Sequence, residues 1–408
     1  MSRLDELIKE LCPDGVEYKP LREVANVSRG GSFQKKDYVE TGVPCIHYGQ
    51  IYTTFGLFVN NTVNFISKEI AIKQKKAVSG DIIMAVTSEN IEDVCKCVAW
   101  LGDGEVAVSG HTAIIHNSLN PKYLVYYLRS SLFFAQKVKL AHGTKVIEVR
   151  PDDLLNIILP VPPLPVQQEI VRILDSFTEL TAKLTAELEA RKKQYEYYRD
   201  DLLSKQEEHN APMFSLGEVS SFRRGSFPQP YGNAEWYDGD GAMPFVQVAD
   251  IGEDMMLVED TKRKISLIAQ SKSVFAPKNS IIISLQGSIG RIAVTQYDAY
   301  IDRTVAIFNN ISPLLNRKYF VYQLQRIFSI KEKTARGSTI KTITKEEFTE
   351  FPIPIPPIEE QERIVTILDK FNTLSNDITS GLPAEIAARQ KQYEYYRDKL
   401  LTFKAYCA

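Results

Sequence analysis

Beyond Pro163, apolar side chains recur at intervals of three and four, at Ile170, Ile173, Phe177, Leu180, Leu184, Leu188, Tyr195, Tyr198 and Leu202. Residues so spaced share one face of an α-helix, so the pattern predicts a helix over about 166–204 carrying a single apolar stripe. At 1.5 Å per residue that helix is about 57 Å long, more than one small domain needs. A second stripe runs through Ile364, Ile367, Phe371, Leu374 and Ile378, and resumes at Ile386, Tyr393, Tyr396 and Leu400. Between its halves stands Ser380-Gly381-Leu382-Pro383, where proline removes a backbone hydrogen bond and should kink or interrupt the helix. Elsewhere the apolar runs are short and β-branched, as at Ala113-Ile114-Ile115 and Ile281-Ile282-Ile283, and lie between Gly, Asn and Asp turns that mark strands. Asn120 to Arg129 and Asn316 to Gln325 read as helices. The fold class expected is therefore α+β.

The two stripes belong to an internal repeat. Gln194 to Asp200 and Gln392 to Asp398 both read QYEYYRD, a shift of 198, and PVPPLPVQQEIVRILDSF from Pro160 matches PIPPIEEQERIVTILDKF from Pro354, a shift of 194. The second copy thus carries four extra residues between these blocks, which the Gly381–Pro383 interruption would accommodate. Fainter matches keep the same order: Leu21-Arg22-Glu23-Val24 with Leu216-Gly217-Glu218-Val219, Gly31-Ser32-Phe33 with Gly225-Ser226-Phe227, and Val43-Pro44-Cys45-Ile46 with Met243-Pro244-Phe245-Val246. Lys122-Tyr123 matches Lys318-Tyr319, and Ala141-His142-Gly143-Thr144 matches Ala335-Arg336-Gly337-Ser338. The chain is a tandem pair of one unit: a divergent globular region, a short stiff Pro-rich hinge, then a helix. The boundaries this implies are 1–158, 159–210, 211–352 and 353–408.

An apolar stripe needs a partner. Each helix could pack on its own domain, or the two could pair antiparallel with a globular domain at each end, about an approximate two-fold axis. Two equal helices in a tandem repeat favour the pair, with Ile170, Phe177, Leu184, Tyr198 and Leu202 facing Ile364, Phe371, Ile378, Tyr396 and Leu400.

The 408 residues, 44% apolar and 25% charged, suffice for more than one core. No apolar run approaches the ~18 residues of a membrane span, and MSRLDELIKELC lacks a signal-peptide core, so a cytoplasmic protein is expected. Five scattered cysteines fit neither a disulfide framework nor a zinc knuckle, and reduced thiols are expected. The formal charge of −2 gives no overall attraction for a polyanion, but its distribution is uneven. The four segments carry net charges of 0, −3, +2 and −1, so acid concentrates on the helices and leaves the globular regions neutral or slightly basic.

Motifs for catalysis are missing. The sequence has no GxxxxGK[ST], HExxH or GxSxG, and Cys95-Lys96-Cys97 has no second cysteine pair, so neither a catalytic nor a metal site is expected. Gly287-Ser288-Ile289-Gly290 reads as a turn and Asp238-Gly239-Asp240-Gly241 as a loop; Asp152-Asp153 after Pro151 reads as a helix start.

These blocks carry a resemblance. VPPLPVQQEIVRILDSF, IPPIEEQERIVTILDKF, both QYEYYRD helices, LTAKLTAEL at 180–188, the LCPDGVEYKPLREV start and the AHGT and ARGS turns resemble specificity subunits of type I restriction–modification systems, over nearly the whole chain. The resemblance implies that 1–158 and 211–352 are target recognition domains, each reading one half of a bipartite asymmetric DNA site. It implies that the helices set the spacer and dock two methyltransferase subunits. It also implies that adenine-N6 methylation with S-adenosylmethionine, and ATP- and Mg-dependent translocation and cleavage, reside in partner subunits, leaving this chain noncatalytic and without a cofactor of its own.

Base readout needs side chains that donate or accept in pairs. Candidates in the first region are Arg29, Gln34, Lys35, Lys36, His47, Tyr48, Gln50, His111 and Lys145; in the second, Arg223, Arg224, Gln229, Gln247, Gln286, Arg291, Arg303, Arg336 and Lys341. Each could equally be a solvated charge or a phosphate contact. His47/Gln247, His111/Arg303 and His142/Arg336 align but differ in chemistry, as two readers of different bases would. Other classes remain open: a helical scaffold binding proteins only, which would ignore a split DNA motif, and a stand-alone DNA enzyme, which the purified chain's own methyl transfer or cleavage would reveal.

If the helices are a ruler, a TAEL-type insertion after Leu188 adds about 6 Å and about 40° of rotation. A methylation-site map should then show the spacer longer by one or two base pairs and both half-sites unchanged. An unchanged spacer refutes the ruler.

Overall fold

In the strand Ile82–Ala85 every side chain is buried, and alternate residues enter different cores. Ile83 and Ala85 join Val98, Trp100, Ile114, Ile46, Val106 and Val108 between two sheets, whereas Ile82 and Met84 join Ala99, Ile115, Tyr123 and Phe133 under helices. The period of two in a strand thus makes three layers from one sheet: sheet, sheet, helix. This is seen in a computed structural model, which describes residues 2–252, 254–334, 345–376 and 381–406. The chain divides into two units, Met1–Ala182 with Ala388–Ala408, and Lys183–Ala387.

In the first unit the central sheet runs Ala25–Arg29, Thr112–Asn117, Ile82–Ala85, Cys97–Trp100, Phe58–Val59. The outer sheet runs Tyr38–Val39, Asn64–Ile66, Val43–Ile46, Val106–Val108, Lys76–Ala77. The second unit repeats both orders without the two edge strands. Its sheets are Ser221–Arg224, Val305–Asn309, Ile281–Ser284, Ile292–Val294, and Arg263–Ile265, Met243–Val246, Ala299–Ile301, Val274–Ala276. The architecture is α+β, with the two domains in tandem and the long helix Leu164–Glu208 between them in the sequence. The helix and strand expectations hold at Pro121–Leu128, Thr112–Asn117 and Ile281–Ser284, and Arg317–Thr334 extends well past the expected Gln325.

One arrangement of polar side chains occurs in both units and joins each globular domain to its helix. In the first, Gln167, only 3% exposed, accepts from the Asn120 N–H at 2.9 Å and donates to the Pro162 carbonyl at 2.7 Å. Tyr123 donates to the Pro160 carbonyl at 3.0 Å, and Tyr126 and Lys122 both reach Asp175, at 2.7 and 2.6 Å. In the second, Gln361, fully buried, accepts from Asn316 N–H at 2.8 Å and donates to Pro356 O at 2.8 Å and Leu314 O at 2.9 Å. Tyr319 donates to Pro354 O at 3.0 Å, and Tyr322 and Lys318 reach Asp369 at 2.7 and 2.5 Å. Asn120 and Asn316 also cap the helices that carry these tyrosines.

The long helix has 45 residues, about 68 Å, longer than the stripe predicts. The second copy comprises two helices, Ile358–Asn376 and Leu382–Leu400, with Pro383 in the first turn of the latter, where its missing N–H costs nothing. Both partners for the stripe are used. Ile170 and Ile364, expected in the helix pair, are fully buried in the cores of their own domains, because the first turns after the Pro-rich hinge lie on the globular layer. Beyond them the helices pair: Phe177 stacks on Tyr396 at 5.6 Å, and Tyr198 on Phe371 at 5.4 Å, an antiparallel sense. Leu202 and Leu400 pack beside these cores, Leu184 is half-buried, and Ile378 lies outside the described residues. In the first unit the C-terminal segment closes on the start of the chain. Val16 N–H donates to Lys404 O and Tyr406 N–H to Val16 O, both at 2.9 Å, past Gly15, where a Cβ would stand 2.7 Å from Lys404 O.

Gln361→Ala leaves the buried Pro356 carbonyl unpaired, at a cost of about 1–3 kcal/mol, and frees the half-buried Asn316 N–H and Leu314 carbonyl, which water can reach in part. Urea unfolding should show a loss of about 2–3 kcal/mol, and substitution of exposed Arg363 almost none.

Candidate nucleic-acid interface

The first sheet strand of each unit ends at a glycine that lets the following loop cross the turn from an outer-sheet strand to a central-sheet strand. The Gly30 N–H bonds Thr112 O at 3.0 Å, and a Cβ there would be 2.0 Å from Ser109 O. The Gly225 N–H bonds Val305 O at 2.8 Å, and its Cβ would be 2.3 Å from the carbonyls of Ile301 and Asp302. Gly30, not Gly31, is therefore the counterpart of Gly225, and Gly31 is one extra residue in the first loop. Each loop then buries an aromatic ring in the outer sheet: Phe33 beside Cys45, Ile66 and Ala71, and Phe227 beside Phe245, Ile265 and Ala269.

In the first unit these elements bring four rings together. His47 follows the strand Val43–Ile46 and accepts the Gly49 N–H at Nδ1, 3.2 Å away, capping the helix Tyr48–Thr53. Its ring lies 4.6 Å from Tyr48 and 6.4 Å from Phe33, and Tyr48 lies 5.3 Å from His111. His111 is exposed and holds a left-handed backbone, φ +62°, in the turn before Thr112–Asn117. Burial first, then the charge of Lys35 and the proximity of His111, hold His47 below the ordinary imidazole range. Gln34, Lys35 and Lys36 are exposed on the same loop. Arg29 stands 3.6 Å from Glu148, and Lys145 is exposed on the turn preceding the strand Ile147–Glu148. Gln50 is oriented inward: its Oε1 accepts the His47 N–H at 2.8 Å and its Nε2 donates to Asn64 at 2.7 Å, so it holds His47 in place.

In the second unit Gln247 occupies the place of His47, heading the short helix Val248–Asp250 with its N–H on Asp250 at 2.8 Å. Arg303 lies in the three-residue turn Asp302–Thr304, whose counterpart is Ser109–His111. Ser109 N–H donates to Ile46 O and Asp302 N–H to Val246 O, both at 3.0 Å, so Arg303 faces Gly110 and His111 faces Thr304. The sequence pairing of His111 with Arg303 is thus one residue out of register. Arg223, Arg224 and Gln229 are exposed, Gln286 is half-buried in the turn after Ile281–Ser284, and Arg291 is exposed with Nη1 on Ile251 O at 3.3 Å. Arg336 and Lys341 lie outside the described residues. An aromatic group absent from the sequence candidates surrounds Phe227: Tyr231, Trp236 and Tyr237, with Arg303 over Tyr231 at 5.1 Å, Arg263 over Tyr237 at 4.9 Å and Lys272 over Trp236 at 5.1 Å. Aromatics interleaved with Gly, Asn and Asp across 227–241 were the available signal. Among the described residues no three His, Cys, Asp or Glu side chains could hold a metal ion, and no helix is long and apolar enough to cross a membrane.

Each unit therefore presents rings, amides and cations on loops of a rigid two-sheet core, an arrangement suited to reading base edges rather than to bond chemistry. Residues 13–190 and 209–388 each match the profile of the type I restriction modification DNA specificity domain, and the chain belongs to that family. It is 32% identical to a type I restriction enzyme specificity subunit of Escherichia coli, over 99% of this chain and 98% of that one. With a specificity-subunit relative in Haemophilus influenzae it shares 31% identity, covering 95% and 96%. Its fold is similar to a chain solved in work on assembly and conformational transition of the type I R-M system (TM-score 0.62, 22% identity, 96% and 98% covered). It also resembles the S subunit from M. genitalium (TM-score 0.50, 15% identity, 95% and 96% covered). As a specificity subunit it is the noncatalytic, sequence-reading component of such a system.

His47 supplies a pH test. With its folded pKa depressed, the unfolded chain binds more protons below pH 6.5, so the stabilising contribution is complete above 6.5 and lost as pH falls through the folded value. The unfolding free energy should decline between pH 7 and 5, and His47→Asn, a cap that does not titrate, should flatten that decline.

Proposed function

We propose that the two globular domains read the two halves of a split, asymmetric DNA site while the helices set the spacer and dock two methyltransferase subunits. The observation that carries this is a contrast. The eight residues joining domain to helix are identical in both copies, Asn120/Asn316, Lys122/Lys318, Tyr123/Tyr319, Tyr126/Tyr322, Pro160/Pro354, Pro162/Pro356, Gln167/Gln361 and Asp175/Asp369, whereas the loop pairs His47/Gln247, Gly110/Arg303 and His111/Thr304 differ. Two identical frames with unlike loops suit two unlike half-sites.

Docking of one kind of partner twice is supported by the repeated QYEYYRD segment, in which Tyr197 and Tyr395 are 67% and 62% exposed. Rings so exposed on otherwise acidic helices suit a protein surface. S-adenosylmethionine, ATP and Mg belong, on this reading, to the methyltransferase and the restriction and translocase subunits, and the assembly works in the cytoplasm.

With little net positive charge, phosphate attraction is weak and the chain alone should bind duplex DNA poorly. Fluorescence anisotropy with the chain plus its methyltransferase should distinguish a duplex bearing the mapped split motif from a shuffled one. Tight, salt-insensitive binding by the isolated chain, or no discrimination by the complex, would contradict the proposal.

A further inference from the structure

The turn Asp302–Thr304 is built differently from its counterpart. Asp302 is 3% exposed, and its carboxylate is fully engaged: one oxygen accepts the Tyr231 hydroxyl at 2.6 Å, the other accepts the Thr304 N–H at 2.8 Å and hydroxyl at 2.7 Å. Burying a carboxylate is costly unless it is bonded in this way, and one of its three bonds holds a loop residue 71 positions away. Tyr231 also stacks on Phe227 at 4.9 Å, and Phe227 packs on fully buried Phe245 at 4.6 Å. A rigid path thus leads from the core to the Tyr231 ring, and over that ring, 5.1 Å from its centroid, lies the Arg303 guanidinium.

We propose that Arg303 reads a guanine in the half-site recognised by the second domain, with Tyr231 as its positioning residue. This rests on the DNA-specificity reading above. Arg303 is exposed, and among the described residues it makes no ion pair and no hydrogen bond, because the adjacent carboxylate is committed to Tyr231 and Thr304. A guanidinium held by one face keeps its N–H edge free, and that fork matches O6 and N7 of guanine in the major groove. A phosphate contact needs charge but no such orientation. Arg263, by contrast, spends Nη1 on the Tyr237 hydroxyl at 2.9 Å, and Lys272 has no planar fork; these two suit the backbone flanking the base. The first unit has Ser109 and Gly110 where Asp302 and Arg303 stand, so this guanine is read by one domain only.

The test is sequencing of methylated adenines in a host carrying the complete system with wild-type chain, Arg303→Ala or Tyr231→Phe. With Arg303→Ala, one G·C pair in one half-site should lose roughly 5- to 150-fold of its preference, while the other half and the spacer are unchanged. Tyr231→Phe, which keeps the ring and loses only the Asp302 bond, should relax the same base pair to a lesser degree. The inference is overturned if Arg303→Ala leaves every position as before, if it lowers methylation uniformly at an unchanged motif as a phosphate contact would, or if either half relaxed lacks a G·C pair. A wild-type system that methylates no bipartite motif would instead overturn the functional reading itself.

Discussion

Two buried glutamines carry the architecture. Gln167 and Gln361 each accept a backbone N–H from the start of a domain helix and donate to a carbonyl of the Pro-rich hinge, joining sheet layer, hinge and long helix in one network. A buried amide satisfied on both sides adds modest net stability but costs heavily if misplaced, so it selects one angle of helix to domain. The tyrosine and lysine bonds to Asp175 and Asp369 extend the same constraint about two turns along each helix.

Because the frame is held by side chains far from the loops, the loops can change without disturbing it. The first domain places the buried His47 imidazole against Tyr48 and Phe33, with His111 on the other side of Tyr48; the second builds an aromatic group that carries three cations. A glycine at the strand exit is required in both, since the backbone of the crossing turn fills the space a Cβ would need. Divergence lies in what the loops present and in one edge strand of each sheet, while the four strands that the corresponding sheets share keep the same order.

Much of this frame was legible in the sequence. A stripe of period 3.6 announces a helix, and the duplicated Lys-Tyr and Pro-rich segments announce that the two halves share one join. Periodicity says that a face must be buried but not by what, so Ile170 and Ile364 looked like helix-pairing residues when their own domains cover them. The helix ends were missed because Leu164-Pro165 and the polar Lys205 to Glu208 carry no stripe, although a first-turn proline is compatible with the helix. Residue type also could not show that Gln50 spends its amide inside the domain, or that an extra glycine shifts His111 against Arg303. The Tyr231–Asp302 bond spans 71 positions, and no local pattern encodes it.

The central claim is that the join, not the reader, sets the geometry. Replacing 216–350 by 21–157 keeps every partner of that join, because the transplanted helix brings Asn120, Lys122, Tyr123 and Tyr126 to Pro354, Pro356, Gln361 and Asp369. Mapping methylated adenines in a host carrying this chimera with its partner subunits is the most direct test. The account predicts a symmetric motif, with the first domain's half-site on both sides and the original spacer. An altered spacer, or retention of the original asymmetric motif, would contradict it.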